Sequence, residues 1–492
     1  MKQKSRRELL YTLSAMALGV GEFSNSAGAV RSDRADPKPS QQTETVTRFQ
    51  QSAKLAADDG DEFDLFGSSV GLSDDGTTAV IGAHGDTVRN HGGAGTAYVF
   101  QRSDDKWEQQ QRLRADDAGA ADGFGTSVAL SGNATTAVVG TIQSDSNGGT
   151  DASVCIFERS ADSWHQQQKL TADDDNGNSW LGPAISVSDD GTTVITGAHT
   201  ATNPDHNEGV GSACIFERSG NSWEQVETLR SDGVESTIEF GASVAVSGDG
   251  TTAVIGSPGN DPASAGSVYI FERSGSSWHQ QQKLVSEESA RQFGRAVAVS
   301  RNGKIAIICV PQERTEVEGS GSAYVFEQSG GSWHQRQKLL PAGGDGAFAQ
   351  AAAVSGDGKT VFVGSRAADP NGRLSGAGYI FEHSGEGWQQ TLTPDDGGAE
   401  DRFGEAVAIS RDGQTALSGA FWDNDPHGER GGSAYVFEKS EVTLTPTPTS
   451  TDTGDDIGPG FGVGTAVTGL GAGVYLLTQR LANRKTTPDG AC

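Results

Sequence analysis

The chain has 492 residues, enough for two or three ordinary domains or for one large repeat array. Acidic residues number 65 against 37 basic, a formal charge of −28, and glycine contributes 68. That charge argues against a nucleic-acid partner, whose phosphates would be repelled, and regular apolar runs argue against a disordered chain despite a hydrophobic content of 34%.

In chain order, residues 1–29 come first. They read Ser5-Arg6-Arg7-Glu8-Leu9-Leu10, then an apolar run from Leu10 to Val20, then the small residues Ala27-Gly28-Ala29. This pattern resembles a twin-arginine export signal with Arg6 and Arg7 as its pair. The run is too short to span a bilayer comfortably, so cleavage is expected. Residues 30–43 read as a flexible spacer. The acidic, lysine-poor, glycine-rich composition resembles that of proteins from salt-loving archaea, where salt screens charge repulsion over a few ångströms.

Residues 44–440 are dominated by a repeat. A Phe-Gly step recurs at Phe66-Gly67, Phe124-Gly125, Phe240-Gly241, Phe293-Gly294 and Phe403-Gly404, with Leu181-Gly182 and Phe348-Ala349 as variants. The spacing is 53 to 59 residues, giving seven copies. Each copy holds four strand-like apolar runs. The first two are joined by a tight turn such as Ser247-Gly248-Asp249-Gly250, the second and third by a longer variable loop. A fourth-strand tryptophan recurs at Trp107, Trp164, Trp223, Trp278, Trp333 and Trp388, six times and not seven. The seventh copy runs out after Phe437, while an orphan strand around Leu55 precedes the first Phe-Gly. The spacing therefore predicts an all-β, seven-bladed β-propeller of four-stranded blades, with the N-terminal strand completing the last blade.

These residues resemble the FG-GAP repeats of integrin α-subunit propellers, and more closely the prokaryotic branch of that family. Its second element, Gly-Ala-Pro, is echoed at Gly82-Ala83-His84, Gly197-Ala198-His199, Gly256-Ser257-Pro258 and Gly419-Ala420-Phe421. The resemblance implies a propeller used for adhesion, ligand binding or structure. Many members carry a calcium loop between the first two strands, which needs oxygen ligands at alternate positions. Here that loop is degraded: Ala245 and Ala253 stand where ligands are needed around Asp249. No cofactor and no metal are expected.

Residues 441–457 form a Thr/Pro-rich acidic stalk. Residues 458–485 carry Pro459-Gly460-Phe461, an apolar glycine-rich segment and the basic residues Arg480, Arg484 and Lys485; residues 486–492 are a tail. The order of parts resembles the archaeal Pro-Gly-Phe sorting signal, whose tail is exchanged for a lipid. Retained instead, the segment is a membrane span with its basic end inside. Both outcomes put the propeller on the extracellular face of the cell membrane.

No nucleophile elbow, zinc signature or phosphate loop is present. His165, His279 and His334 follow repeat tryptophans and are expected on separate blades. The candidate ligand-binding residues lie in the variable loops: Asp86, Arg89 and His91 in blade 1; Asp205, His206 and Glu208 in blade 3; Trp422, Asp423, Asn424, Asp425 and His427 in blade 7. Trp422, outside the repeat register, reads as an exposed aromatic for a sugar or a partner. Asn133-Ala134-Thr135 is an N-glycosylation sequon. Cys155 and Cys214 share one repeat position and read as buried thiols, with an inter-blade disulfide as the alternative. The expected function is a binding or adhesion module for a surface protein or glycan, and not an enzyme. The alternatives are an envelope-structural propeller without a discrete ligand and an extracellular hydrolase or lyase with a funnel active site.

Overall fold

Each repeat becomes a four-stranded antiparallel sheet for a reason visible in one copy. Blade 1 comprises Phe66–Leu72, Thr78–Ala83, Thr96–Ser103 and Lys106–Leu113, paired in that order. Its second strand, Thr-Ala-Val-Ile-Gly-Ala, is buried at every residue, so both faces are covered. Its fourth strand, Lys-Trp-Glu-Gln-Gln-Gln-Arg-Leu, alternates exposed with half-buried positions, as an outer strand should. Gly67 sits at φ +88°, and a Cβ there would lie 2.3 Å from the Ser433 carbonyl oxygen of the neighbouring blade. That close approach requires the glycine of Phe-Gly.

The computed structural model describes residues 44–444, except 89–90, 143–151, 173–180, 200–201, 204–207, 210, 232–238, 260–264, 287–290, 312, 314–320, 342–347 and 384–387. The export signal, spacer, sorting motif and tail lie outside the described residues. Among those described there are seven four-stranded sheets, one two-stranded hairpin (Thr202–Asn203 with Glu208–Gly209) and no helix. First strands of successive blades touch one another, and Val407–Ile409 of blade 7 touches Phe66–Leu72 of blade 1, closing a ring. The molecule is a seven-bladed β-propeller. Leu72, Leu130, Val187, Val246, Val299, Val354 and Ile409 line a narrow axial cavity of about 270 Å³. Seven apolar clusters each span two neighbouring blades, so the core is divided among the seven interfaces.

The N-terminal strand closes blade 7. Glu44–Leu55 pairs antiparallel with Ser433–Leu444, from Glu44↔Leu444 to Leu55↔Ala434. It copies an ordinary fourth strand even in its irregularity. A bulge skips Ser52 here, as it skips Gln110 in blade 1 and Gln167 in blade 2. Phe49 occupies the seventh aromatic position and is 3% exposed. Gln390 of blade 6 grips its backbone, donating to Phe49 O at 2.6 Å and accepting from Phe49 N at 2.9 Å. Gln111 grips Trp164 in the same way, at 2.7 and 2.8 Å. The pairing continues to Leu444, so 441–444 belongs to the propeller and not to the stalk expected from 441.

All six repeat tryptophans lie on fourth strands, but one is paired differently. Trp107, Trp164, Trp223, Trp278 and Trp333 each pair with the residue two past the third-strand phenylalanine. Trp388 pairs with Glu382, one past Phe381, and its strand has no bulge. The segment from Trp388 to Leu392 is two residues shorter than that from Trp333 to Leu339, and a one-step slip exchanges the faces of a strand.

Two further sets of links bind the ring. Backbone N–H to carbonyl bonds join the tips of the first turns, for example Asp74 to Gly132 and Arg411 to Asp74. Third strands are joined by pairs such as Arg218–Glu158 at 2.8 Å, Lys439–Glu382 at 2.5 Å and Arg102–Glu438 at 3.2 Å. Among the described residues both sets lack a member only between blades 5 and 6. There Glu327 turns to Arg336 of its own blade at 2.7 Å. A groove of about 720 Å³ opens at the same interface.

Phe49→Ala should cost about 3–5 kcal/mol of stability in denaturant unfolding, while Phe49→Trp should be tolerated. Deleting residues 44–57 should abolish the cooperative transition; a deletion that melts like the parent would sink the closure by this strand. Replacing Trp388–Leu392 with the seven residues of Trp333–Leu339 should restore bulge and register and add about 1–2 kcal/mol.

Candidate ligand-binding face

The two ends of the ring differ. The first turns close one end with their own hydrogen bonds. In blade 4 Asp249 accepts from Ser247 Oγ at 2.6 Å, Thr251 N at 3.1 Å and Thr251 Oγ1 at 2.8 Å. Although burial raises this carboxyl, those bonds hold it below the usual range. The other six blades repeat the Ser-to-Asx bond, with Asn133 and Asn302 replacing aspartate in blades 2 and 5. The loop that aligned with a calcium site is thus a self-satisfied hairpin turn, and no group of three metal-ligating side chains occurs among the described residues. Asn133 is exposed there, its Nδ2 donating to Asp190 O at 3.2 Å.

At this end Arg301 of blade 5 reaches across the axis to pair with Asp74 of blade 1 and Asp189 of blade 3. His165, His279 and His334 are exposed on the fourth strands of blades 2, 4 and 5. Cys155 is buried with a free thiol, so the alternative cross-link to Cys214 does not form.

The opposite end carries the second-to-third loops and the inter-blade linkers, knitted together by bonds such as Phe124 N to Ala94 O at 2.9 Å and Leu65 N to Arg430 O at 3.1 Å. Of the eleven loop candidates, Arg89, Asp205 and His206 lie outside the described residues. Glu208 lies in the short hairpin with Asn203 as its partner. His91 is exposed beside Val88.

Asp86 and Asp423 occupy one repeat position and are buried, at 8% and 5% exposure. Asp86 accepts from the Tyr98 hydroxyl at 3.2 Å, and Asp423 from that of Tyr435 at 2.7 Å. Glu313 does the same for Tyr324 at 2.7 Å. Burial and these carboxylates push the three phenols up, so the hydroxyls stay donors. A cation from the fourth strand completes two of the groups, Lys54 lying 3.1 Å from Asp423 and Lys338 2.8 Å from Glu313, while in blade 1 Arg114, just past that strand, lies 3.8 Å from Asp86. Asp86 and Asp423, expected as exposed loop carboxylates, are thus buried and bonded within the fold. Asp425 is exposed and bonded to Lys54 at 3.0 Å. Asn424 accepts from Arg430 N at 2.9 Å. His427 is half-buried against Gly60.

Trp422 stands in the loop over blade 7, but not as a bare platform. The Arg402 guanidinium carbon lies 3.4 Å from its ring centroid and that of Arg430 lies 4.1 Å away. Two guanidinium groups so close cannot share one face without clashing, so they cover opposite faces. Neutral sugar stacking on the indole is therefore closed off. Arg402 and Arg430 were missed in the sequence. The signal was present: Arg402 stands directly before Phe403, where other copies have Leu65, Gly123 or Gln292.

Two buried carboxyls on this face make folding pH-dependent. Burial pushes Asp64 and Asp401 each up to about 6, although Asp64 accepts from Asp61 N and Asp401 from Gly398 N. A raised native pKa means a contribution that is full below the ordinary carboxylate value and lost as pH rises through about 6. Melting temperature at fixed salt should therefore fall between about pH 4 and 6. The double variant Asp64→Asn/Asp401→Asn should show a shallower fall than the exposed control Asp58→Asn/Asp116→Asn; equal slopes would refute the assignment.

The model of the FG-GAP repeat family matches residues 49–100, 107–157, 164–216, 223–271 and 387–437, just over half of the chain. Each of the first four segments starts on the aromatic of a fourth strand, beginning with Phe49. Most of blades 5 and 6 falls outside the matched segments. No curated protein matches the chain. Among solved structures, hydrazine synthase of Kuenenia stuttgartiensis is similar at 14% identity, over 79% of this chain and 97% of that one, with a TM-score of 0.48, too low to carry any functional inference. By its repeats and by the five matched segments, the chain belongs to the FG-GAP repeat family of β-propellers.

Proposed function

We propose that this propeller is an exported, membrane- or lipid-anchored cell-surface module that binds a protein or glycan through the loop face over blade 7. The observation that carries the binding reading is the Arg402–Trp422–Arg430 stack. It gathers three large side chains from two loops on the face opposite the self-satisfied turns, and among the described residues neither arginine meets a carboxylate in an ion pair. Export and anchoring are supported by Arg6-Arg7 at one end and Pro459-Gly460-Phe461 at the other.

A hydrolytic role gains little from the axis. Asp74 and Asp189 do meet at its turn end, but both are tied to the guanidinium of Arg301. A general acid–base pair needs one carboxylate free to exchange a proton with water.

Arg6→Lys/Arg7→Lys should leave the protein inside the cell, read by fractionation. The exported protein should retain envelope material, and Trp422→Ala should weaken that retention at least tenfold. Unchanged retention would remove the site from blade 7.

A further inference from the structure

We infer that the Arg402–Trp422–Arg430 stack is an oxyanion site, built to take the carboxylate or sulfate group of an acidic saccharide. This rests on the binding reading above and names its ligand chemistry.

The local charge is the reverse of the global one. In a chain of formal charge −28, four arginines gather over blades 6 and 7: Arg366, Arg373, Arg402 and Arg430. The structure neutralises only two of them. Arg366 holds both oxygens of Glu405 at 2.8 and 2.9 Å, and Arg373 holds Glu400 at 2.6 Å. Glu405 and Glu400 are also the two carboxylates whose charges act on Arg402. Arg402 and Arg430 are left with the Trp422 ring as their common contact. Burial pulls the Arg402 guanidinium below its ordinary range, the charges of Arg366 and Arg430 add to the effect, and those of Glu405 and Glu400 only partly oppose it. Its Nε is shut away from solvent without a hydrogen-bond partner. Crowded cations that the fold leaves uncompensated are relieved by an anion, and the guanidinium edge presents parallel N–H donors matched to two oxygens.

The arrangement is particular to blade 7. Arg402 and Arg430 stand at left-handed backbone positions, φ +57° and +55°, that recur around the ring. Leu65 and Gly123 hold the first of these positions elsewhere, and Gly93 and Leu374 the second. In no other described blade do both carry a cation, and at the place of Trp422 blade 1 has Gly85.

The choice of a saccharide follows from what the face lacks. A peptide recognised by strand addition needs an open, unencumbered sheet edge, and the outer strand here is the charged, bulged Glu44–Leu55, whose Lys54 is already tied to Asp425 of the Trp422 loop. A long polyanion such as a nucleic acid would meet the carboxylates around the patch. A short acidic sugar needs only the guanidinium edges, with the half-buried Phe421 beside Trp422 as apolar floor, ring centroids 5.7 Å apart. Repulsion from the rest of the molecule is screened beyond about 10 Å at 0.1 M salt.

The test is calorimetric titration of the whole exported protein with oligogalacturonate, with neutral oligogalactose as control, at the lowest salt that keeps it folded. Oligogalacturonate should bind and the neutral sugar should not. Arg402→Gln and Arg430→Gln should each weaken binding roughly tenfold, the equivalent of about 1.4 kcal/mol, and added sulfate should compete. Arg336→Gln, on the outer strand of blade 5 where it pairs with Glu327 of its own blade, should bind as the parent does. Circular dichroism checks that each variant is folded. Equal binding of both sugars, or folded Gln variants that bind like the parent, overturns the oxyanion site. Retention of envelope material by the Arg402→Gln/Arg430→Gln protein then separates the outcomes: if it persists, the binding module stands and only the ligand assignment falls.

Discussion

A four-stranded blade cannot cover both of its own faces, and everything in this molecule depends on that constraint. Each apolar cluster is shared by two neighbouring blades, so no blade has a core of its own. The ring must close, and it closes through one pairing between Glu44–Leu55 and Ser433–Leu444, strands nearly four hundred residues apart in the chain. The loop-closure entropy of that contact is offset only when the whole ring is formed. Phe49, the bulge at Ser52 and the Gln390 clamp make the joined blade equivalent to the others. A flush strand without the bulge would have put the wrong face inward.

Closure is not uniform. Links repeat around the ring at the turn tips and third strands, and among the described residues both are missing between blades 5 and 6. Ile305 stands there in place of the threonine that meets the next blade's turn glycine elsewhere, as Thr136 meets Gly191. The shortened strand of blade 6 adds a slipped register. Local opening follows the interface with fewest contacts and bonds. The matched segments of the family model leave out residues 272–386, which hold most of both blades at this interface, while the slipped strand Trp388–Leu392 lies inside the last matched segment.

The high acidic content takes an ordered form. At the turn end Asp75, Asp190 and Asp249 accept three hydrogen bonds each and Asp357 and Asp412 two each, and on the loop face carboxylates sit behind tyrosine hydroxyls and lysines. Fixed acidic positions set around the ring at spaced intervals avoid the like-charge contacts that a random arrangement would bring. Against that background the arginine pair on Trp422 is a local exception and not part of the repeat.

The repeat period, the four strands per copy, the count of seven and the permuted N-terminal strand were all legible in the sequence, because strand alternation and turn glycines are local properties. The candidate site was legible only as a region. Trp422 stood out by being out of register, but Asp86 and Asp423, which read as loop carboxylates, are buried partners of Tyr98 and Tyr435 twelve residues on. Arg402 and Arg430 looked like ordinary surface charges until the linker entering blade 7 and the loop within it were brought together. Trp388 kept its place in the written pattern and lost it in the sheet, because register is set by the partner strand. Sequence determined which elements form and how they are ordered, since those follow from short-range periodicity. Tertiary structure alone decided which charged side chains are neutralised and which remain available, since that depends on distances between residues far apart in the chain.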